Sequence, residues 1–124
     1  MRDFRELKVW EKAHLLTLEV YRVTTTFPRE EVYGLTSQSR RAAASIGANI
    51  AEGSGKDSRP DFFRFLQMAL GSASELEYHL LLSRDLGYLA AETHQRLGEQ
   101  VIETKKMLTG FVHYLRTPKT GTDG

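Results

Sequence analysis

Apolar residues recur along the chain at three- and four-residue steps, the mark of helices packed on one face, and nowhere alternate as a strand would. The first such stretch covers about residues 5–26. Val9, Ala13, Leu16, Val20, Val23 and Phe27 form its stripe, with Trp10, His14 and Tyr21 on the flank. Pro28 ends it, because the residue before a proline is pushed out of the α region. An irregular linker containing Gly34 leads to a second helix over about residues 36–52, with Thr36 as its N-cap. Leu35, Ala42, Ile46 and Ile50 make its core line, and Gly53 is placed at the left-handed position that closes many helices. Ser58 followed by Asp61 reads as a capping box with Pro60 in the first turn, opening a third helix that runs to Leu86 and stops at Gly87. The fourth covers about residues 90–116, where Leu97, Val101, Thr104, Leu108, Phe111 and Leu115 step as a bundle seam does. Four helices with three short connections fold most simply as an all-α, antiparallel up-down-up-down four-helix bundle. It forms a single domain over residues 4–116, and residues 117–124 are expected to be a disordered tail.

Helix three carries more apolar surface than one bundle face requires. Phe62, Phe65, Leu66, Ala69, Ala73, Leu76 and Leu80 share a face, with Phe63, Leu70 and Leu81 on one shoulder and Met68 and Leu86 on the other. At about 100° per residue the arc is roughly 220°, against the ~100° stripe of an ordinary surface helix. Either the other three helices bury all of it, or a second copy of the chain covers a shoulder. On the second account Phe63, Leu70 and Leu81 are oligomer-interface residues, because a large bare apolar patch is a liability.

Composition narrows the classes. The chain has 124 residues, 40% of them hydrophobic, enough for one real core. Its formal charge is only +1, so nucleic-acid binding through bulk charge is not expected and a local patch would be needed. No cysteine is present, which removes disulfides and thiolate metal sites. The first residues lack the apolar run of a signal peptide, and no stretch nears the ~20 apolar residues of a membrane helix. The expected compartment is the cytoplasm, with no membrane partner.

Few residues suggest chemistry. Glu11 and His14 make one Glu-x-x-His pair, whereas a di-iron bundle needs two such pairs plus two further glutamates. No metal and no cofactor is expected. Gly53-Ser54-Gly55-Lys56-Asp57 lacks the first glycine and the final Ser/Thr of a phosphate-binding loop. No nucleophile elbow or Ser/His/Asp set can be nominated, so no enzyme is expected. On helix two, Gln38, Arg41, Ser45, Asn49 and Glu52 form a polar stripe, and Ser72, Glu75 and His79 form another on helix three. These groups either fix helix register, through an ion pair of Arg41 with Glu75 or Glu52, or bind a ligand. Arg40, Arg41, Lys56 and Arg59, with Arg64 beside them, are the nucleic-acid candidates at the helix 2–3 junction. Glu52, Asp57 and Asp61 dilute them, and an ordinary solvated surface is the other account.

Several strings resemble one known family. Gly34-Leu35-Thr36-Ser37-Gln38, Arg40-Arg41-Ala42-Ala43, Ser45-Ile46 and Asn49-Ile50-Ala51-Glu52-Gly53 are similar to those of the 23S rRNA-intervening sequence proteins. So are Phe62 through Leu66, Ala69-Leu70-Gly71-Ser72-Ala73-Ser74-Glu75-Leu76-Glu77, Leu86-Gly87-Tyr88-Leu89, and Leu7-Lys8-Val9-Trp10. The resemblance covers about residues 4–116. It implies a bundle that assembles as a ring, typically a homopentamer, acting as a non-enzymatic scaffold or adaptor of undefined role. Through a similarity to accessory proteins of diversity-generating retroelements, it also implies RNA or DNA, and a reverse transcriptase, as partners. Those relatives have a markedly basic surface, and this chain at +1 departs from them. Ser39 stands where an apolar residue is common in the family.

Overall fold

The computed structural model describes residues 3–117. Among them are four α-helices, α1 (Lys8–Thr24), α2 (Leu35–Ser54), α3 (Arg59–Asp85) and α4 (Ala91–Arg116). Short 3-10 turns, Phe4–Glu6 and Arg29–Glu31, precede α1 and α2, and no strand occurs among the described residues. The backbones of α1 and α3 each approach those of α2 and α4, closing a four-membered ring of helices around one core. The tail expectation concerns, from Pro118 onward, residues outside the described ones.

The stripes read from the sequence are the ones buried. Leu16, Val20, Ile46, Ile50, Leu66, Leu76, Leu80, Leu97, Val101 and Leu108 are all fully enclosed. Burying each such side chain stabilises the fold by roughly 1.5–3 kcal/mol before entropy is counted. Every residue placed on the inner face of α3, from Phe62 to Leu80, is buried. Val112 joins the α4 core, while Phe111 and Leu115 pack half-buried against it.

The helix ends follow local chemistry. Ser58 Oγ accepts the Asp61 backbone N–H at 3.1 Å, capping α3. At the other end Gly87, with φ +82°, closes the helix. The Gly87 N–H donates to Arg84 O and the Tyr88 N–H to Ser83 O, each at 2.9 Å, the pair of bonds of a Schellman motif.

Two assignments differ from expectation. Thr36 does not cap α2; it is buried in the first turn, and the side chain of Glu31 does the capping, its Oε1 accepting the Leu35 N–H at 2.9 Å. Glu31 Oε2 also accepts from the Tyr88 hydroxyl at 3.1 Å, so one carboxylate ties the α1–α2 linker to the α3–α4 turn. Gly53 is not a left-handed terminator. It lies inside α2 and buried, where a Cβ would sit 2.7 Å from Phe65 Cβ and 2.9 Å from Phe62 Cδ1. Only a glycine lets α2 and α3 approach this closely.

Candidate functional site

The polar stripe forms a hydrogen-bonded seam between α2 and α3. Asn49 Nδ2 donates to Ser45 O at 2.9 Å and to Ser45 Oγ at 3.0 Å. The Ser72 hydroxyl reaches Ser45 Oγ across the interface at 2.9 Å. One turn on, His79 Nε2 and Glu75 Oε2 are 3.1 Å apart. Gln38, Arg41, Ala42, Ser45, Ser72 and Glu75 line a cleft of about 210 Å³. The anticipated bond between Arg41 and Glu75 is not formed, because the carboxylate turns to His79; Arg41 and Glu52 have no ion-pair partner among the described residues. Sequence reasoning missed two atoms nearby. Ser39 Oγ and His79 Nδ1 are buried with no hydrogen-bond partner among the described residues.

The four nucleic-acid candidates do not come together. Arg40 and Arg41 lie in the first two turns of α2, and Ser54 at its other end is about 21 Å further along the axis at 1.5 Å per residue. Arg40 closes the end of α1 instead: Nε donates to Thr24 Oγ1 at 2.8 Å, and the guanidinium stands 4.9 Å from the Tyr21 ring centre. Arg59 does the same for α4, donating to the carbonyls of Leu115 at 3.1 Å and Tyr114 at 2.8 Å. Both spend their donors on helix C-termini, where the backbone leaves carbonyls unpaired and the dipole favours a cation. Lys56 and Arg64 flank the Phe65 ring, at 5.5 and 4.9 Å, and Arg116 stands 5.5 Å from Phe63.

An apolar face runs along α3 and α4. Ser74, Glu77, Tyr78, Leu80, Leu81, His94 and Gly98 line a cleft of about 330 Å³. One turn further along α4, a shallower hollow lies over Ile102, Thr109, Gly110 and His113. Tyr78 is 58% exposed, Leu81 37% and Ile102 46%. The Lys105–Glu77 ion pair, 2.8 Å long, ties the two helices together beside this face. Of the three interface candidates only Leu81 is exposed; Phe63 and Leu70 are half-buried against the core. A second apolar spot, Leu15 and Leu18 on the outer side of α1, falls off the core stripe and for that reason escaped the periodicity.

His14 stacks flat on Trp10, with ring centres 4.9 Å apart, while Glu11 is exposed and makes no bond to it. Among the described residues no group of three or more metal-ligating side chains converges. No helix among them is long and apolar enough to cross a membrane.

The structure thus defines a class: an all-helical protein of four helices with a polar seam and an exposed apolar face. The chain belongs to the 23S rRNA-intervening sequence protein family, whose model matches residues 5–110. It is also similar to a solved protein of unknown function from the S23 ribosomal protein family, from Bacteroides thetaiotaomicron. The two share 28% identity with a TM-score of 0.76, over 84% of this chain and 97% of that one. A comparison with curated proteins finds no match.

Proposed function

We propose that the chain is a cytoplasmic, non-enzymatic scaffold or adaptor whose identical copies associate into a ring through the α3–α4 face. The observation that carries this is the exposed row Tyr78, Leu81 and Ile102. It lies beside Gly98, where a Cβ would meet nothing within 4 Å. A bare apolar strip flanked by a small residue suits a neighbouring helix. The helices run up-down-up-down. In support, Ser45 meets Ser72 while Gly53 faces Phe62 and Phe65, and Glu77 meets Lys105 while Arg59 reaches Leu115. Sedimentation at micromolar concentration tests the assembly. A multimer that Leu81→Glu and Ile102→Glu dissociate into folded monomers is expected. A compact wild-type monomer would refute the reading.

A second reading has RNA or DNA binding at the end of the bundle where α2 finishes and α3 begins. Lys56, Arg59, Arg64 and Arg116 gather there over Phe65, Tyr114 and Phe63. Binding through these cations would weaken steeply with salt. An electrophoretic shift of structured RNA at low salt, lost in Lys56→Gln/Arg116→Gln, is the expected result. No shift removes this reading without touching the first.

A further inference from the structure

The cleft between α2 and α3 holds two opposite charges that do not meet. Arg41 and Glu75 line the same small space of about 210 Å³. Yet Arg41 has no hydrogen-bond, ion-pair or ring partner among the described residues, and Glu75 touches only His79. Most other arginines are engaged: Arg5, Arg22, Arg64, Arg84 and Arg96 with carboxylates, Arg40 and Arg59 with carbonyls or hydroxyls. No ion pair closes between the two, so the guanidinium and the carboxylate both stay open to a bound group.

The floor of the cleft supplies a further donor. Ser45 Oγ accepts from Asn49 Nδ2 and from the Ser72 hydroxyl, which occupies both of its lone pairs. Its own proton then has no acceptor within the network. If the serine pair runs the other way, the proton left over belongs to Ser72. In either direction one hydroxyl remains free to donate beside Arg41. The Gln38 side-chain amide lines the same wall. Glu75 keeps Oε1 as an open acceptor, since His79 meets only Oε2. The cleft therefore pairs a cationic, donor-rich half with an anionic, acceptor half.

We infer that this cleft binds a small zwitterion of the α-amino-acid type, its carboxylate on Arg41 and the free serine hydroxyl, its ammonium on Glu75 Oε1. The cleft, of about 210 Å³, has room for glycine or alanine between the two charges. A dianion such as phosphate would meet Glu75 as a like charge. The site opens between α2 and α3, on the other side of α3 from the face assigned to self-association, so the inference stands independently of that reading.

Titrating ¹⁵N-labelled full-length protein with glycine, acetate and methylammonium at constant ionic strength tests this. Glycine should shift the Ser45, Ser72 and Glu75 amide signals saturably, with Kd on the order of millimolar, as befits a few polar contacts in an open cleft. Acetate and methylammonium, each carrying half of the charge pattern, should bind at least about tenfold more weakly. Arg41→Gln and Glu75→Gln should each weaken glycine about tenfold or more, while Arg96→Gln, a change to an arginine that pairs with Glu19 between α1 and α4, leaves it unchanged. Circular dichroism establishes that the variants are folded. No saturable shift up to about 50 mM glycine overturns the inference. So does acetate binding as well as glycine, or glycine binding that is indifferent to Arg41→Gln.

Discussion

Gly53→Ala isolates the closest helix approach in the molecule. In an open helix this change is favourable, by about 1 kcal/mol, because glycine loses more backbone freedom on folding. At Gly53 the added methyl would lie 2.7 Å from Phe65 Cβ, an atom fixed to the α3 backbone. Carbon pairs rest at about 3.5–4.0 Å, so α2 and α3 must part by roughly 1 Å at that level. Phe62 Cδ1 at 2.9 Å blocks relief by tilting the other way. Overpacking of this kind costs about 1–3 kcal/mol, and the upper half of that range applies where backbone, not a side-chain end, has to yield. The net expectation is a loss of about 1–2 kcal/mol. Gly71, also within a helix, is the internal control: a Cβ there meets nothing within 4 Å, so Gly71→Ala should gain about 0.5–1 kcal/mol. Urea unfolding followed by circular dichroism at one protein concentration reads both. Gly53→Ala should lower the midpoint by about 0.5–1 M, and Gly71→Ala should raise it. A Gly53→Ala protein as stable as wild type would show that the seam is not close-packed and would refute the reasoning.

Three further outcomes follow from single contacts. Ser39 is fully enclosed with its hydroxyl unpartnered among the described residues, so Ser39→Ala should stabilise by about 1 kcal/mol and raise the melting temperature by about 4 °C. Arg59→Ala should cost about 1 kcal/mol, because it uncaps α4, while Arg64→Ala, which loses an exposed 3.5 Å pair with Asp61 and a surface contact with the Phe65 ring, should cost less than that in the same melts. The hydrogen bond to Glu31, then burial and the charges of Glu31 and Glu30, holds the Tyr88 pKa above the ordinary tyrosine value of 10.0. Stability from this contact is therefore complete below pH 10 and lost as pH rises through the higher folded value. Absorbance titration at alkaline pH should show the late-titrating tyrosine disappear in Tyr88→Phe and move earlier in Glu31→Gln.

What was legible in the sequence was what periodicity and local caps determine. The inner face of α3, the α4 seam, the Ser58 cap and the Gly87 stop follow from residues within one or two turns of each other. What was not legible depended on partners remote in sequence. Arg59 bonds the carbonyl of Leu115 56 residues later, and Glu31 bonds Tyr88 57 residues away, so no local pattern marks either residue as structural. Gly53 carries the same ambiguity, since a glycine at a helix end and one at a tight crossing look identical until the crossing helix is placed. The scatter of the cations is different in kind. Arg40, near the start of α2, and Lys56, just past its end, are separated by the rise of one long helix, and that distance was computable from their numbers.

Ser39 shows how far position outranks residue type. It follows Leu35 by four and precedes Ala42 and Ile46 by three and seven, which sets it in the middle of the α2 core line. The helix buries it for that reason, although its hydroxyl finds no acceptor among the described residues. The surrounding leucines and isoleucines bury too much apolar area for one unpaired hydroxyl, at about 1–3 kcal/mol, to redirect the helix. The same reasoning applies with the opposite sign to Tyr78, Leu81 and Ile102. They lie off the inner stripes, so no helix of the same chain can turn to cover them without uncovering its own core. Any cover for that face must come from outside the bundle.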